Sequence, residues 1–97
     1  MENETRLWEK DNHLILDLNA YEGYDDIPVI AERLQKYFKA ETIEKLDGPA
    51  ERVWFLKING SELALHQVEG YGCFLKATTE EAKIILKEIK DQWPLYS

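Results

Sequence analysis

The sequence predicts an α+β fold of the form β-α-β(3-4)-α, in which a mainly antiparallel sheet packs one face against two helices. Residues 52–77 alternate like consecutive strands and are interrupted by turn signals. Residues 25–38 and 78–93 carry apolar residues three or four positions apart, which is the spacing of a buried helical stripe. A chain of 97 residues with 44% hydrophobic residues suffices for one modest core.

The first predicted strand begins after a polar lead-in. Residues 1–12 are polar apart from Leu7 and Trp8, so we expect a flexible N-terminal arm followed by a single domain over residues 13–97. Leucines occupy every second position from 14 to 18, which is typical of a strand with one buried face.

Capping residues place the starts of both helices. Asp25 or Asp26 can accept a hydrogen bond from the free backbone N–H groups of the first helix, and Pro28 suits its first turn. Thr78 and Glu81 have the spacing of a capping box for the second helix. The stripes expected to face the core are Ile27, Ile30, Ala31, Leu34, Tyr37 and Phe38 in the first helix, and Ala82, Ile85, Leu86, Ile89 and Trp93 in the second.

Two turns set the strand registers that matter for function. Asn59-Gly60 is the preferred pair of a type I′ hairpin, and a two-residue turn at Glu69-Gly70 would add a third strand. A short, charged strand over residues 41–46 is expected at the sheet edge. The first turn pairs Lys57 with Glu62, Phe55 with Ala64 and Val53 with His66, and the second pairs Leu65 with Phe74, Ala64 with Leu75 and His66 with Cys73.

These registers leave one apolar sheet face for which no helix is assigned. Contiguous exposed apolar surface often marks a protein interface, so this face is the predicted interaction site. The alternative is that a helix, or the arm with Trp8, crosses to that side and makes it core. The residues predicted for interaction are Val53, Phe55, Ala64, His66 and Leu75.

Cys73 beside His66 is the one nucleophile and base pair that the predicted registers bring together. Cross-strand neighbours are close enough for a thiolate and imidazole contact. A single cysteine is nevertheless commonly a small buried hydrophobe, and the sequence supplies no evident orienting carboxylate. A small enzyme or ligand-binding domain that uses this pair, in a pocket beside Tyr71, is therefore the alternative hypothesis.

An acidic cluster follows the first strand. Glu22, Asp25 and Asp26 could supply oxygen ligands to Ca²⁺ or Mg²⁺. Helix capping explains the two aspartates without a metal, and the spacing departs from that of an EF-hand loop. The sequence therefore predicts no cofactor, and these three residues stay weak metal candidates.

The net charge limits the classes of possible partner, and the cysteine content indicates the cellular compartment. The net charge of -7 repels nucleic acid and anionic membranes and makes a basic or neutral protein partner the easier expectation. A second copy of the chain is the other partner that the uncovered apolar face predicts. A single cysteine is typical of a reducing cytoplasm. The acidic N-terminus is unlike a secretory signal, and no apolar run approaches the ~18 residues of a membrane span.

A resemblance adds to this interpretation. The run from Trp54 to Gly60, followed by Gly70-Tyr71-Gly72-Cys73-Phe74-Leu75 and a threonine-capped helix, resembles small bacterial proteins without an established function. In size and acidity the chain is also similar to bacterial immunity proteins, which bind and neutralise a toxin domain. The resemblance transfers no active residues. The lack of a catalytic set together with the uncovered apolar face predicts a non-enzymatic protein-interaction module, which makes contact through that face or through the acidic loop.

Overall fold

The computed structural model describes residues 5–18 and 26–93. Within them the chain forms one antiparallel sheet with strand order β1-β2-β6-β5-β4-β3 and two helices, which confirms the predicted α+β class. Two strands, rather than one, precede the first helix. The elements are β1 (Thr5–Lys10), β2 (His13–Leu18), α1 (Asp26–Phe38), β3 (Glu41–Asp47), β4 (Glu51–Ile58), β5 (Ser61–Val68), β6 (Gly72–Ala77) and α2 (Glu80–Gln92).

Strand β1 lies where the sequence predicts a flexible arm. Asp11 and Asn12 both have positive φ angles, 54° and 67°, and they connect Lys10 to its partner His13 in a two-residue hairpin. Asp and Asn tolerate this left-handed conformation better than other non-glycine residues. Residues 5–10 are therefore ordered as an edge strand, whereas residues 1–4 lie outside the described residues.

The central hairpin has the predicted register. Asn59 and Gly60 have φ angles of 52° and 81°, as a type I′ turn requires, and Phe55 pairs with Ala64. Strand β3 lies at the opposite edge of the sheet from β1, and all seven of its residues are exposed. The short charged edge strand predicted over residues 41–46 is thus confirmed.

The turn between β5 and β6 is one residue longer than predicted. Glu69, Gly70 and Tyr71 form the loop; the Tyr71 N–H donates to the Val68 carbonyl at 2.9 Å, and Gly70 has a φ of 85°. His66 consequently pairs with Phe74 rather than with Cys73. A slip of one residue exchanges the two faces of a strand, so the predicted facing of β6 was wrong.

The two helices contribute to one core. Thr79, not Thr78, caps α2, and its Oγ1 accepts the Ala82 N–H at 3.1 Å. The predicted α2 stripe is buried throughout, whereas Tyr37 of the α1 stripe is 40% exposed. No helix among the described residues is long and apolar enough to span a membrane. The core cluster joins the buried residues of both helices with Leu14, Leu16, Leu18, Trp54, Leu56, Ile58, Leu63, Leu65, Cys73, Leu75 and Ala77 of the strands.

Candidate functional site

The strand residues that alternate with this core form the other side of the sheet, which we call the second face. Residues directly opposite each other in antiparallel strands point to the same side, so the registers define rows that cross all six strands. One row is Arg6, Asp17, Phe74, His66, Val53 and Leu46, and the next is Trp8, Ile15, Lys76, Ala64, Phe55 and Glu44.

Four of the five predicted interaction residues lie on the second face. Val53, Phe55, Ala64 and His66 are neighbours there, and each is half-buried. Leu75 is not among them, because the longer loop turns it into the core, where it is 0% exposed. Phe74 takes its place on the second face and is half-buried.

A buried carboxylate organises one end of the second face. Asp17 is 3% exposed, and its Oδ2 accepts the Trp8 indole N–H at 2.9 Å and the Arg6 guanidinium at 3.2 Å. Its Oδ1 accepts the Tyr71 hydroxyl at 2.9 Å. Burial raises the pKa of Tyr71, and the hydrogen bond to Asp17 raises it further. The Asp17 carboxylate therefore accepts hydrogen bonds from three side chains, and it fixes the positions of the two aromatic ones, Trp8 and Tyr71.

Ring contacts extend from this cluster to the middle of the second face. The Tyr71 and Phe74 rings make a T-shaped contact with their centroids 5.6 Å apart, and Phe74 stacks on His66 with a centroid distance of 4.6 Å and an angle of 7°. His66 Nδ1 lies 3.2 Å from Glu51 Oε2. Burial lowers the pKa of His66, and the bond to Glu51 offsets that only in part. Ring contacts thus run from Tyr71, in the loop before β6, to His66 on β5, and the Asp17 carboxylate links Tyr71 to Trp8 on β1.

A concave pocket of about 540 Å³ opens between the hairpin of β1 and β2 and the loop before β6. Ile15, Phe74, Trp8 and Tyr71 supply apolar and aromatic surface, and Lys76 adds a cation. Its volume falls within the ~300–1,000 Å³ typical of small-molecule sites. The full lining is Trp8, Lys10, Asp11, His13, Ile15, Val68, Tyr71, Phe74 and Lys76.

The structure does not bring Cys73 and His66 together. Cys73 pairs with Leu18 and Gln67 on the core side of the sheet, whereas His66 lies on the second face. Cys73 is 2% exposed, and its burial raises the pKa of the thiol to about 12. The predicted nucleophile and base pair was therefore wrong, because the one-residue register slip turned Cys73 inward.

The metal candidates fall largely outside the described residues. Glu22 and Asp25 lie in the undescribed segment, and Asp26 is the first residue of α1. Across residues 5–18 and 26–93, no three His, Cys, Asp or Glu side chains are grouped so that they could hold a metal ion.

The cluster around Asp17 was not predicted from the sequence. Trp8 was assigned to an arm, and Asp17 was one polar residue in an alternating strand. The signal that was present is Asp11-Asn12, a pair that tolerates positive φ between two alternating runs. Tyr71 is 54 residues from Asp17 along the chain, and no local pattern indicates that contact.

Comparison with known proteins found no match among protein-family models, curated proteins or solved structures.

Proposed function

We propose that the chain is a non-enzymatic protein-binding module that contacts its partner through the second face, with α1 and α2 packed on the opposite side of the sheet. The observation that carries this proposal is the contiguous set of half-buried apolar and aromatic residues at the centre of the second face. They are Val53, Phe55, Ala64, His66 and Phe74.

The arrangement of polar groups supports an interface. Charged residues of the second face lie mainly on the outer strands, as Arg6 does on β1, or towards the ends of inner strands, as Lys57 and Glu62 do beside the β4–β5 turn. An apolar centre with a polar rim is the usual anatomy of a protein interface. Asp17 holds Trp8 and Tyr71 in place before binding, so less side-chain entropy is lost when a partner docks.

The position of Cys73 favours binding over catalysis. Its thiol is enclosed in the core, and the rise of its pKa to about 12 keeps it protonated at neutral pH. A protonated, buried thiol is a poor nucleophile. The hypothesis of an enzyme that uses Cys73 and His66 together thus lacks the nucleophile and base pair that it requires.

The net charge favours a basic or neutral protein partner. In size and charge the chain is similar to bacterial immunity proteins, and its single cysteine supports a reducing cytoplasm.

Phe55→Glu tests the proposal, with Ile84→Glu as the matched control. Phe55 is half-buried at the centre of the second face, and Ile84 is 59% exposed on α2. Light scattering after size exclusion measures self-association, and each protein serves as bait for partners in lysate. We expect an assembly formed by the wild type and by Ile84→Glu, but not by folded Phe55→Glu. An assembly that survives in Phe55→Glu, or a wild type without any, would contradict the proposal.

The pocket supports a second candidate function, which is binding of a small organic molecule. Its aromatic surface and Lys76 suit a planar ligand with an anionic group. A panel of aromatic carboxylates, titrated against tryptophan fluorescence, tests this candidate. Saturable quenching that is lost in Lys76→Ala but kept in Lys87→Ala would favour it, and quenching equal in both variants would reject it.

A further inference from the structure

Charge is divided unequally between the two halves of the second face. The half formed by β1, β2 and β6 carries the cations Arg6, Lys10 and Lys76 against Asp17 and the turn residue Asp11. We call it the basic half. The half formed by β5, β4 and β3, here the acidic half, carries the carboxylates Glu41, Glu44, Glu51 and Glu62 against one cation, Lys57.

This pattern is complementary to itself. In a dimer with two-fold symmetry, both copies use the same surface. If that surface has one positive and one negative half, the positive half of each copy can contact the negative half of the other. An axis that runs parallel to the strands, between β6 and β5, lays the basic half of one copy over the acidic half of the other. We infer that the second face binds a second copy of this chain, and this inference rests on the proposed function.

The same axis matches the apolar groups. It exchanges β6 with β5, β2 with β4 and β1 with β3, while it keeps each row in place. Phe74 then lies over His66 of the second copy, and Ile15 lies over Phe55. Lys10, at the outer edge, lies over the strand that carries Glu41. Aromatic and aliphatic groups therefore meet at the centre. At the rim Lys10 meets Glu41, and Arg6 lies over Leu46, which is two residues from Glu44.

The area is sufficient for a specific dimer. Six strands spaced about 4.8 Å apart span about 24 Å, and a six-residue strand runs about 20 Å, which gives a projected area of roughly 500 Å². Two copies would bury about 1,000 Å² before side-chain relief is counted, and this reaches the lower limit expected of a specific interface.

The net charge of -7 does not prevent this contact. Several of the remaining carboxylates lie on the exposed sides of the helices, as Glu32, Glu81 and Glu88 do. The helices join the core on the far side of the sheet, so these groups are separated from the second copy by more than the ~8 Å screening length at physiological salt. Salt therefore screens much of their repulsion of the second copy.

Charge reversal tests the inference. One variant reverses the basic half with Lys10→Glu and Lys76→Glu, and a second reverses the acidic half with Glu41→Lys and Glu44→Lys. A control with the same change in net charge as the first variant, Lys36→Glu and Lys87→Glu, alters exposed helix residues only. Sedimentation velocity over a range of concentrations gives the dimer Kd of each protein and of the two reversed variants mixed in equal amounts.

We expect a dimer for the wild type and the control, a Kd about tenfold or more weaker for each reversed variant, and a restored dimer in the mixture. Restoration also shows that both variants are folded. A monomeric wild type would show that the second face does not bind a second copy. The proposed function would still stand if a different partner bound the wild type and was lost only in Phe55→Glu. If neither the charge reversals nor Phe55→Glu weakened the dimer, both this inference and the proposed function would be overturned.

Discussion

The carboxylates of Asp17 and Asp47 hold indole N–H groups in the same way, on opposite sides of one sheet. Asp17 accepts from Trp8 at 2.9 Å on the second face, and Asp47 accepts from Trp54 at 2.8 Å on the core side. Their surroundings differ, since Asp17 is 3% exposed while the Asp47 side chain is 41% exposed. Identical hydrogen bonds should therefore contribute unequally to stability.

An arginine completes each arrangement. Arg6 and Arg52 each stand two residues before the tryptophan, pair with the aspartate of the neighbouring strand at 3.2 Å and 2.9 Å, and lie over the indole ring. The sequence pattern Arg-x-Trp thus occurs twice with an aspartate opposite the arginine.

Asp17→Asn should destabilise the protein by about 1–3 kcal/mol, which is the range for lost hydrogen bonds to a charged acceptor in a buried site. The amide can accept from only part of the donor set, and its own NH₂ faces the remaining donors. Asp47→Asn should have a clearly smaller effect, because water can replace the lost bonds there. Urea unfolding of both variants measures the difference, and equal effects would contradict the importance of burial at Asp17.

Stability should depend on His66 as the pH falls. The folded protein lowers the pKa of His66, mainly by burial, from 6.5 in the unfolded chain. Below pH 6.5 the unfolded state therefore binds the proton first, and stability decreases until the pH reaches the folded pKa. Urea unfolding between pH 7 and 5 should show this slope in the wild type.

His66→Phe is the informative variant, because it keeps a ring on Phe74 and removes the titration. Its stability should vary less over the same pH range. A slope that persists unchanged in His66→Phe would contradict the assignment of the effect to His66.

The limits of prediction from sequence are visible at the turns. Asn59-Gly60 permits one loop length, so the β4 and β5 register followed from the sequence. Gly70 can belong to a two-residue or a three-residue loop. Predicting the shorter loop placed Leu75 on the second face and Phe74 in the core, which is the reverse of the observed arrangement. Asp11-Asn12 lacks the glycine that usually marks such a turn, so β1 was missed. The site around Asp17 depends both on the missed turn at Asp11-Asn12 and on the loop at Gly70 whose length was wrong.

The two faces of β6 can be tested with adjacent substitutions. Leu75→Glu should prevent folding, because it places a charge in a fully buried position. Phe74→Glu should leave the fold intact, since Phe74 is half-buried on the second face, and it should weaken assembly there. Circular dichroism and size exclusion measure both properties. A folded Leu75→Glu beside an unfolded Phe74→Glu would instead support the two-residue turn.

Cys73 should react with iodoacetamide only when the protein unfolds. Burial, aided by the nearby charge of Asp26, raises the pKa of the thiol from 9.0 to about 12. At pH 8 only about one thiol in ten thousand is then ionised, and the reagent must also enter the core. Mass spectrometry should show little labelling over hours, and complete labelling in urea serves as the control. Across a urea series the labelling rate should follow the fraction of unfolded protein. Rapid labelling of the folded protein, with a rate that rises through a pKa below 9, would return Cys73 to the set of candidate nucleophiles and would place β6 in the register first predicted from the sequence.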